Sequence, residues 1–229
     1  MIPAPRSHPA GMPAPPSPDL PARGFAGRGL ACRRGERLVF AGLYFLVPPG
    51  GALVLTGPNG SGKSSLLRLM AGLTPPEAGM LAWDRMPVRE DPTAHRERLH
   101  FIGHHDAVKP ALTVAETLAF WAGMRGGSAV APALERFGLA ALAAWPCRLL
   151  SAGQRRRLAL ARLVASPAAL WLLDEPLTGL DSDAVADLAA AIAAHRAQGG
   201  LVVFSTHAAL QLEGAETLSL TDFAARAAA

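Results

Sequence analysis

The sequence is poor in cysteine and in long apolar runs. Its 229 residues include two cysteines, Cys32 and Cys147, which form neither a CxxC pair nor a haem-attachment motif. We therefore expect free thiols in a reducing compartment. No stretch approaches the roughly 18 consecutive apolar residues that a membrane-spanning helix needs, which argues against an integral membrane protein. The N-terminus has no apolar signal-peptide segment, so we expect no export by that route.

Lysine is also scarce. The chain carries a net charge of +4, and its 22 basic residues include two lysines, Lys63 and Lys109, against twenty arginines. Because an ordinary basic position here is almost always arginine, a lysine at position 63 indicates that a compact ammonium group is needed there. The basic residues are scattered rather than clustered, so we expect no nucleic-acid partner.

The pattern of residues predicts one α/β domain behind a tail. Residues 1–23 are rich in proline and alanine, which favours a disordered tail. Residues 24–229 are sufficient for one domain. Short strands come first and predict an N-terminal antiparallel β subdomain. Strands then alternate with helices, which predicts a mostly parallel sheet with helices on its faces. A helix-rich stretch, roughly 105–165, is interpreted as an inserted helical subdomain.

A phosphate-binding motif lies between a predicted strand and a predicted helix. GPNGSGKS, at 57–64, fits the pattern G-x-x-x-x-G-K-[ST]. Its glycines allow successive N–H groups to turn toward phosphates, and the helix that follows adds the positive end of its dipole. We expect Lys63 to reach the β- and γ-phosphates and the Ser64 hydroxyl to bind Mg²⁺. The predicted nucleotide-binding residues of this loop are Gly57, Pro58, Asn59, Gly60, Ser61, Gly62, Lys63, Ser64 and Ser65.

Polar residues follow two other apolar strands. Asp174 ends the run LWLLD, where desolvation is costly unless the carboxylate meets a cation, so we expect it on the Mg²⁺ side of the site. Glu175 is then placed to orient or activate the attacking water. His207 follows LVVFST, and its imidazole is predicted to contact the γ-phosphate. The predicted catalytic residues are thus Lys63, Glu175 and His207.

A second helix start also suits an anion. In LLSAGQRRRLAL, Ser151 is predicted to cap the helix, Gly153 allows close backbone approach, and three arginines at 155–157 add positive charge. One chain therefore carries two phosphate-binding ends.

Four segments together identify a family resemblance. GPNGSGKSS, LSAGQRRRLALAR, LLDEPLTGLD and STH, in this order, resemble an ABC-type ATPase domain over residues from about 25 to 215. The resemblance implies ATP hydrolysis with Mg²⁺ in a head-to-tail homodimer. Ser151, Gly153 and Gln154 of one chain would then serve the nucleotide held by Lys63 of the other. Asp181 is carried over as a further nucleotide-binding residue.

The chain departs from the family pattern in a minor way at Ala152, which replaces a signature glycine, and more substantially at two other places. His105 occupies the position of the family's nucleotide-sensing glutamine, and we carry it over as a nucleotide-binding residue facing the transport partner. The aromatic residue that stacks on adenine is missing, and Arg33 or Arg34 falls at its position. A guanidinium can stack on a base, so the resemblance implies a weaker preference for adenine.

Several loops refine the resemblance. ACRRGERLVFAGLYF and FIGHHDAVKPALTVAETLAFW resemble ATP-binding subunits of the exporter for haem in cytochrome c maturation. This implies integral membrane permease subunits as partners and a peripheral location at the cytoplasmic face of the bacterial inner membrane. Two alternatives stay open: an exporter for a multidrug or lipid substrate and, less favoured, a soluble ABC ATPase acting on nucleic acid.

Overall fold

The fold contains two sheets and six α-helices in the part of the chain that the computed structural model describes, residues 23–206 and 212–224. The predicted tail up to residue 22 and the predicted catalytic His207 lie outside these ranges. The strands are β1 Phe25–Arg34, β2 Arg37–Val47, β3 Ala52–Thr56, β4 Ala78–Trp83, β5 Met86–Pro87, β6 Leu99–Ile102, β7 Leu170–Asp174, β8 Leu201–Ser205 and β9 Glu216–Ser219. The helices are α1 Lys63–Met70, α2 Pro92–Glu97, α3 Val114–Gly123, α4 Val130–Arg136, α5 Ala152–Ala165 and α6 Ser182–Ala197.

The two sheets differ in strand direction. The four-stranded sheet has the order β2-β1-β4-β5 and is antiparallel throughout. The five-stranded sheet has the order β6-β7-β8-β3-β9 and is parallel throughout. These sheets confirm the predicted fold class, an antiparallel β unit joined to a parallel α/β core. Because parallel strands end at one edge, the residues that follow β3, β7 and β8 come together.

The central parallel strands β7 and β8 are buried on both faces, and alternate side chains of β7 enter different cores. Leu170 and Leu172 of β7 pack with the antiparallel sheet and α1, whereas Trp171 and Leu173 pack with the helices on the other face. All five residues of β7 are buried. Such strands read as continuous apolar runs rather than as alternating ones, which explains the sequences LWLLD and LVVFS.

Two helices begin with a capping box, and the one at Ser151 is the predicted cap. The hydroxyl of Thr113 and the carboxylate of Glu116 form a reciprocal capping box at the start of α3. The hydroxyl of Ser151 accepts from the backbone N–H of Gln154, whose side chain accepts from the N–H of Ser151. Each such cap contributes about 1 kcal/mol of helix stability. The caps fix where α3 and α5 begin.

No helix among the described residues has the length and apolarity needed to cross a bilayer.

Candidate nucleotide site

The phosphate loop connects β3 to α1 and has the backbone that its glycines predict. Gly57, Gly60 and Gly62 have φ values of 135°, 78° and 107°, a region that L side chains rarely adopt. At Gly62 a Cβ atom would also lie 2.6 Å from the Val39 side chain. Helix α1 begins at Lys63 with no acidic residue in its first turn. The positive end of the helix dipole is therefore left for an anion.

Lys63 lies over this loop. Its Nζ donates to the carbonyl oxygen of Gly57 at 2.8 Å and to that of Pro58 at 3.2 Å. The residue is 5% exposed. A buried ammonium held by two neutral carbonyls keeps a positive charge that an anionic ligand can pair with. The geometry suits the predicted contact with phosphate.

Asp174 and Ser64 meet at the carboxyl edge of the parallel sheet. The Ser64 Oγ donates to Asp174 Oδ1 at 3.1 Å, although the residues are 110 positions apart. Asp174 is 5% exposed. A hydroxyl and a carboxylate side by side are hard oxygen donors of the kind that Mg²⁺ takes beside substrate phosphates. These two residues therefore fit the ion that the sequence predicts.

Ser205 joins the two acidic residues. Its hydroxyl donates to Asp174 Oδ1 at 2.7 Å and accepts from the backbone N–H of Glu175 at 2.9 Å. Ser205 is fully buried and pairs with Asp174 in the parallel ladder. Sequence reasoning missed this residue. Its only signal is a hydroxyl at the end of an otherwise apolar strand.

Glu175 has an unusual backbone conformation. Its φ of 47° lies in the left-handed region, which non-glycine residues adopt rarely and at functional sites more than elsewhere. Glu175 and residues of the phosphate loop line one cavity. Glu175 is thus placed near the predicted phosphates, as a residue that orients water must be.

A cavity of about 450 Å³ lies on the phosphate loop. An adjoining cavity of about 360 Å³ shares three residues with it, Arg34, Ser64 and Ser65. The larger one is lined by Arg34, Arg37, Val39, Asn59, Gly60, Gly62, Lys63, Ser64, Ser65 and Glu175. The smaller one is lined by Cys32, Arg33, Arg34, Ser64, Ser65, Arg68 and Thr74. None of these residues is aromatic, and arginine side chains line both cavities.

Arg34 is the better placed of the two candidate stacking residues. It lines both cavities, whereas Arg33 lines the smaller one and pairs with Glu77 at 3.4 Å. Both members of that ion pair are about half exposed, so it adds little stability. We therefore expect Arg34, rather than Arg33, to contact a base.

The second phosphate-binding end is separate from this cavity. Ser151, Gly153 and Gln154 at the start of α5 are not among its lining residues. Asp181 caps α6 by accepting from the N–H of Ala184 at 2.9 Å, and it lies 3.5 Å from Arg157. Within one chain, the two phosphate-binding ends are not brought together.

His105 is exposed and is not among the residues that line the cavity. Its ring stands edge-on to that of His104, with 5.6 Å between ring centroids. The other histidine of this region, His100, is buried and contacts the carbonyl oxygen of Ser166 at 3.1 Å. Burial lowers the pKa of His100 from 6.5 to about 4, so it is neutral at physiological pH.

An aromatic residue of α3 and a basic residue of α5 form a separate contact. Arg162 lies over the Trp121 ring at 3.7 Å, and burial lowers the pKa of this guanidinium to about 10.

A cavity of about 480 Å³ lies beside Trp171 and His195, near the start of β7. It shares no residue with the phosphate loop and lies toward the opposite edge of the parallel sheet. The nucleotide chemistry therefore belongs to the smaller cavities.

Arg156 is the second residue that sequence reasoning missed. It lies in α5 and is 5% exposed. The sequence predicts that the three arginines at 155–157 add positive charge for an anion, but helical spacing places Arg156 on the face of Leu160 and Leu163, both of which are buried. That spacing was the available signal.

The fold and the site together define a P-loop nucleotide-hydrolysing domain. Residues 40–178 match the family described as ABC transporter, and the chain belongs to this family. The chain is therefore an ABC-type ATPase domain with ATP as its nucleotide.

Curated relatives cover nearly the same length of chain. The "Cytochrome c biogenesis ATP-binding export protein CcmA" of Paramagnetospirillum magneticum is 57% identical over 206 residues, which are 87% of this chain and 95% of the relative. The protein of the same name from Rhodospirillum rubrum is 56% identical over 209 residues, 90% of this chain and 89% of the relative. A similar protein from Nitrosococcus oceani is 47% identical over 195 residues.

Solved structures confirm the fold. A putative ABC transporter ATP-binding protein from Pyrococcus furiosus gives a TM-score of 0.77 at 21% identity and covers 88% of this chain and 99% of that one. The ATP-binding subunit of an ABC transporter gives a TM-score of 0.74 at 24% identity, covering 80% and 79%.

Proposed function

We propose that this chain is the ATP-hydrolysing subunit of a membrane exporter that acts in cytochrome c biogenesis, with haem as the cargo of the complex. The observation that carries the proposal is the sequence identity of 56–57% along most of the chain to proteins named cytochrome c biogenesis ATP-binding export protein. The protein would lie at the cytoplasmic face of the bacterial inner membrane, bound to integral permease subunits.

The residues of the site divide the work of hydrolysis. Lys63 and the N–H groups of the phosphate loop bind and orient the β- and γ-phosphates. Ser64 and Asp174 would hold Mg²⁺, and the ion would neutralise phosphate charge. Glu175 accepts a proton from the attacking water or orients it, and His207 would contact the γ-phosphate. These roles need the phosphates beside the edge at which β3, β7 and β8 end.

The two separated phosphate-binding ends support a composite site. The capped start of α5, with Ser151 and Gly153, has no phosphate loop of its own chain beside it. In a head-to-tail homodimer it would face the nucleotide held by Lys63 of the partner subunit, with Gln154 and Asp181 nearby. ATP would then join the two subunits, and hydrolysis would release them.

An exposed apolar surface supports docking to membrane subunits. Phe120 on α3 and Met124, which directly follows α3, are 46% and 65% exposed, and Trp145 is 49% exposed. Phe120 and Met124 are one helical turn apart, and adjacent exposed apolar side chains mark interaction sites more often than isolated ones do. The Nζ of Lys109, in the segment that follows His105, lies 5.0 Å from the centroid of the Phe120 ring. We infer that the loop carrying His105 and the end of α3 form the partner-facing surface.

The composite site is tested by mixing two inactive variants. Ser151→Arg damages the capped start of α5, and Lys63→Ala damages the phosphate loop. A mixed dimer contains one doubly damaged site and one intact site, so turnover from the mixture with none from either variant alone supports the proposal. Turnover equal to the sum of the separate variants would contradict it. Mixing each variant with itself is the control.

The export function is tested by recovery of partners from native membranes. A tagged chain solubilised in detergent should carry small integral haem-handling subunits, identified by mass spectrometry. Phe120→Glu should abolish that recovery while leaving ATP affinity unchanged. A substitution at Phe25 is not a suitable control, because Phe25 is buried in the core. Recovery of an unrelated permease would contradict the haem assignment and keep the ATPase mechanism.

A further inference from the structure

We propose that Arg156 is a positioning residue for hydrolysis, because its guanidinium links the turn that carries Glu175 to the loop that carries His105. The proposal rests on the role of Glu175 proposed above. It assigns to a residue inside α5 a function that neither the phosphate loop nor the capped helix start supplies.

One side of the guanidinium holds the acidic turn. Nη2 donates to the carbonyl oxygens of Asp174 at 2.9 Å and of Glu175 at 2.8 Å. Nε lies 3.4 Å from the carbonyl oxygen of Pro176. Hydrogen bonds from a charged donor are stronger than neutral ones, and here they act on consecutive peptide groups. The backbone on both sides of Glu175 is therefore held in place.

The other side holds the loop after β6. Nη1 donates to the carbonyl oxygen of Gly103 at 2.9 Å and to Asp106 Oδ1 at 3.1 Å. Asp106 is the charged partner of this buried arginine, and its side chain is 23% exposed. Residues 103 and 106 flank the two exposed histidines. A displacement of this loop must therefore move Arg156 or break its bonds.

Glu175 needs such support because of its backbone. A non-glycine residue with φ at 47° is strained and persists only where its surroundings hold it. Ser205 fixes its N–H, and Arg156 fixes its carbonyl oxygen. Since the carboxylate follows the backbone, loss of either contact should change the position of the group that orients water.

The planar fork is what allows one side chain to reach both segments. A guanidinium presents its N–H groups in several directions in one plane, whereas an ammonium is a single compact donor group. Lysine at position 156 would keep the charge beside Asp106 but could not bond the carbonyls of the turn at the same time. The linkage therefore depends on arginine rather than on positive charge.

The test compares turnover with affinity in the full-length chain. Arg156→Gln should lower kcat by about 10- to 100-fold, because a small misplacement of a reacting group has an effect of that size. The Kd for Mg²⁺-ATP should change by about twofold or less, because the phosphate loop is untouched. Arg156→Lys should recover only part of the loss. Recovery of full kcat by lysine would overturn the proposal.

A matched arginine controls for stability. Arg196 also bridges two segments, donating to the carbonyl oxygens of Gly50 at 2.8 Å and Glu213 at 2.9 Å, but it is remote from Glu175. Arg196→Gln should lower the melting temperature and keep kcat within about twofold. If both variants lose kcat in proportion to their loss of stability, the effect of Arg156 is merely structural and the proposal fails.

The linkage itself is tested through Asp106. Asp106→Asn should lower kcat by a smaller factor, and it should add nothing to the loss in Arg156→Gln, because both changes break one network. Hydrogen exchange should rise in Arg156→Gln at the amides of residues 103–106 and of residues 174 and 175 together. Faster exchange at only one of the two segments, or independent effects of the two substitutions, would overturn the linkage.

Glu175→Gln separates this proposal from the one on which it rests. If Glu175→Gln is inactive and Arg156→Gln turns over at the wild-type rate, Arg156 has no positioning role. If Glu175→Gln itself retains the wild-type rate, the role of Glu175 is wrong.

Discussion

Replacing Ser205 with alanine removes one buried oxygen and both of the hydrogen bonds that it makes to the acidic pair. The hydroxyl donates to Asp174 Oδ1 at 2.7 Å and accepts from the N–H of Glu175 at 2.9 Å. Ser205 is 0% exposed, so water cannot replace either bond without a rearrangement. The substitution is otherwise small, because alanine suits a strand position of this size.

The expected loss follows from these two bonds. A hydrogen bond to a carboxylate contributes about 1.5–3 kcal/mol, and a buried N–H left without a partner costs about 1–3 kcal/mol. The terms overlap, so we expect the free energy of unfolding to fall by about 2–4 kcal/mol. The same two bonds hold Asp174 and Glu175 in their reactive positions. If their loss raises the activation free energy by about 1.4 kcal/mol, kcat should fall about tenfold.

The assays measure stability and turnover separately. Urea unfolding followed by tryptophan fluorescence gives the free energy of unfolding, and ATP turnover is measured over a range of Mg²⁺ concentrations. Since Asp174 loses a donor that orients it, the Mg²⁺ concentration needed for half-maximal turnover should rise. Ser219→Ala is the control: its hydroxyl also lies at the end of a strand of the same sheet, but it contacts the Thr221 hydroxyl at 2.6 Å rather than the acidic pair.

The reasoning is refuted if Ser205→Ala matches the wild type in kcat and in Mg²⁺ requirement. It is also refuted if Ser219→Ala shows the same loss of turnover. A loss of stability without any loss of turnover would leave Ser205 as a core residue and remove it from the site.

Three further substitutions test the site and the core. Lys63→Ala should weaken ATP binding by about 100-fold or more, because it removes the charge that pairs with phosphate, and Lys109→Ala, the other lysine, should leave affinity unchanged in the same titration. Glu175→Gln should bind ATP with wild-type affinity and lower turnover by at least about 100-fold; wild-type turnover would show that the assignment is wrong. The depressed pKa of His100 means that unfolding takes up a proton between pH 6.5 and about pH 4, so the free energy of unfolding should fall by up to about 3 kcal/mol as pH drops through this window. His100→Gln should flatten that pH dependence in urea titrations, and an unchanged slope would contradict the buried, neutral state.

The local features of the site could be predicted because neighbouring residues create them. Gly57, Gly60 and Gly62 adopt the positive φ values that the phosphate loop needs. The sequence predicts these values directly, because glycine is the residue that permits them. The cap at Ser151 is equally local, since its partner Gln154 is three residues away. The strand ending at Asp174 follows from an apolar run that closes with a carboxylate.

The support for the acidic pair could not be predicted because it joins distant segments. Arg156 contacts residues 18 and 19 positions ahead and others 50 and 53 positions behind. Its helical spacing marked it as buried, but nothing in the sequence indicated which carbonyls it meets. The choice between Arg33 and Arg34 was open for the same reason, and the cavities favour Arg34.

What the sequence determined by itself is the chemistry: a phosphate loop with a lysine, an acidic pair after a buried strand, and a second capped helix start. These depend on residues within a few positions of one another, whose conformations are set by local sterics and hydrogen bonds. The tertiary structure alone decided which groups touch. Ser64, Asp174 and Ser205 meet because β7 and β8 are paired in register and end at the edge where α1 begins. Register and strand order arise from burial of both faces of the sheet, a property of the whole chain rather than of any segment.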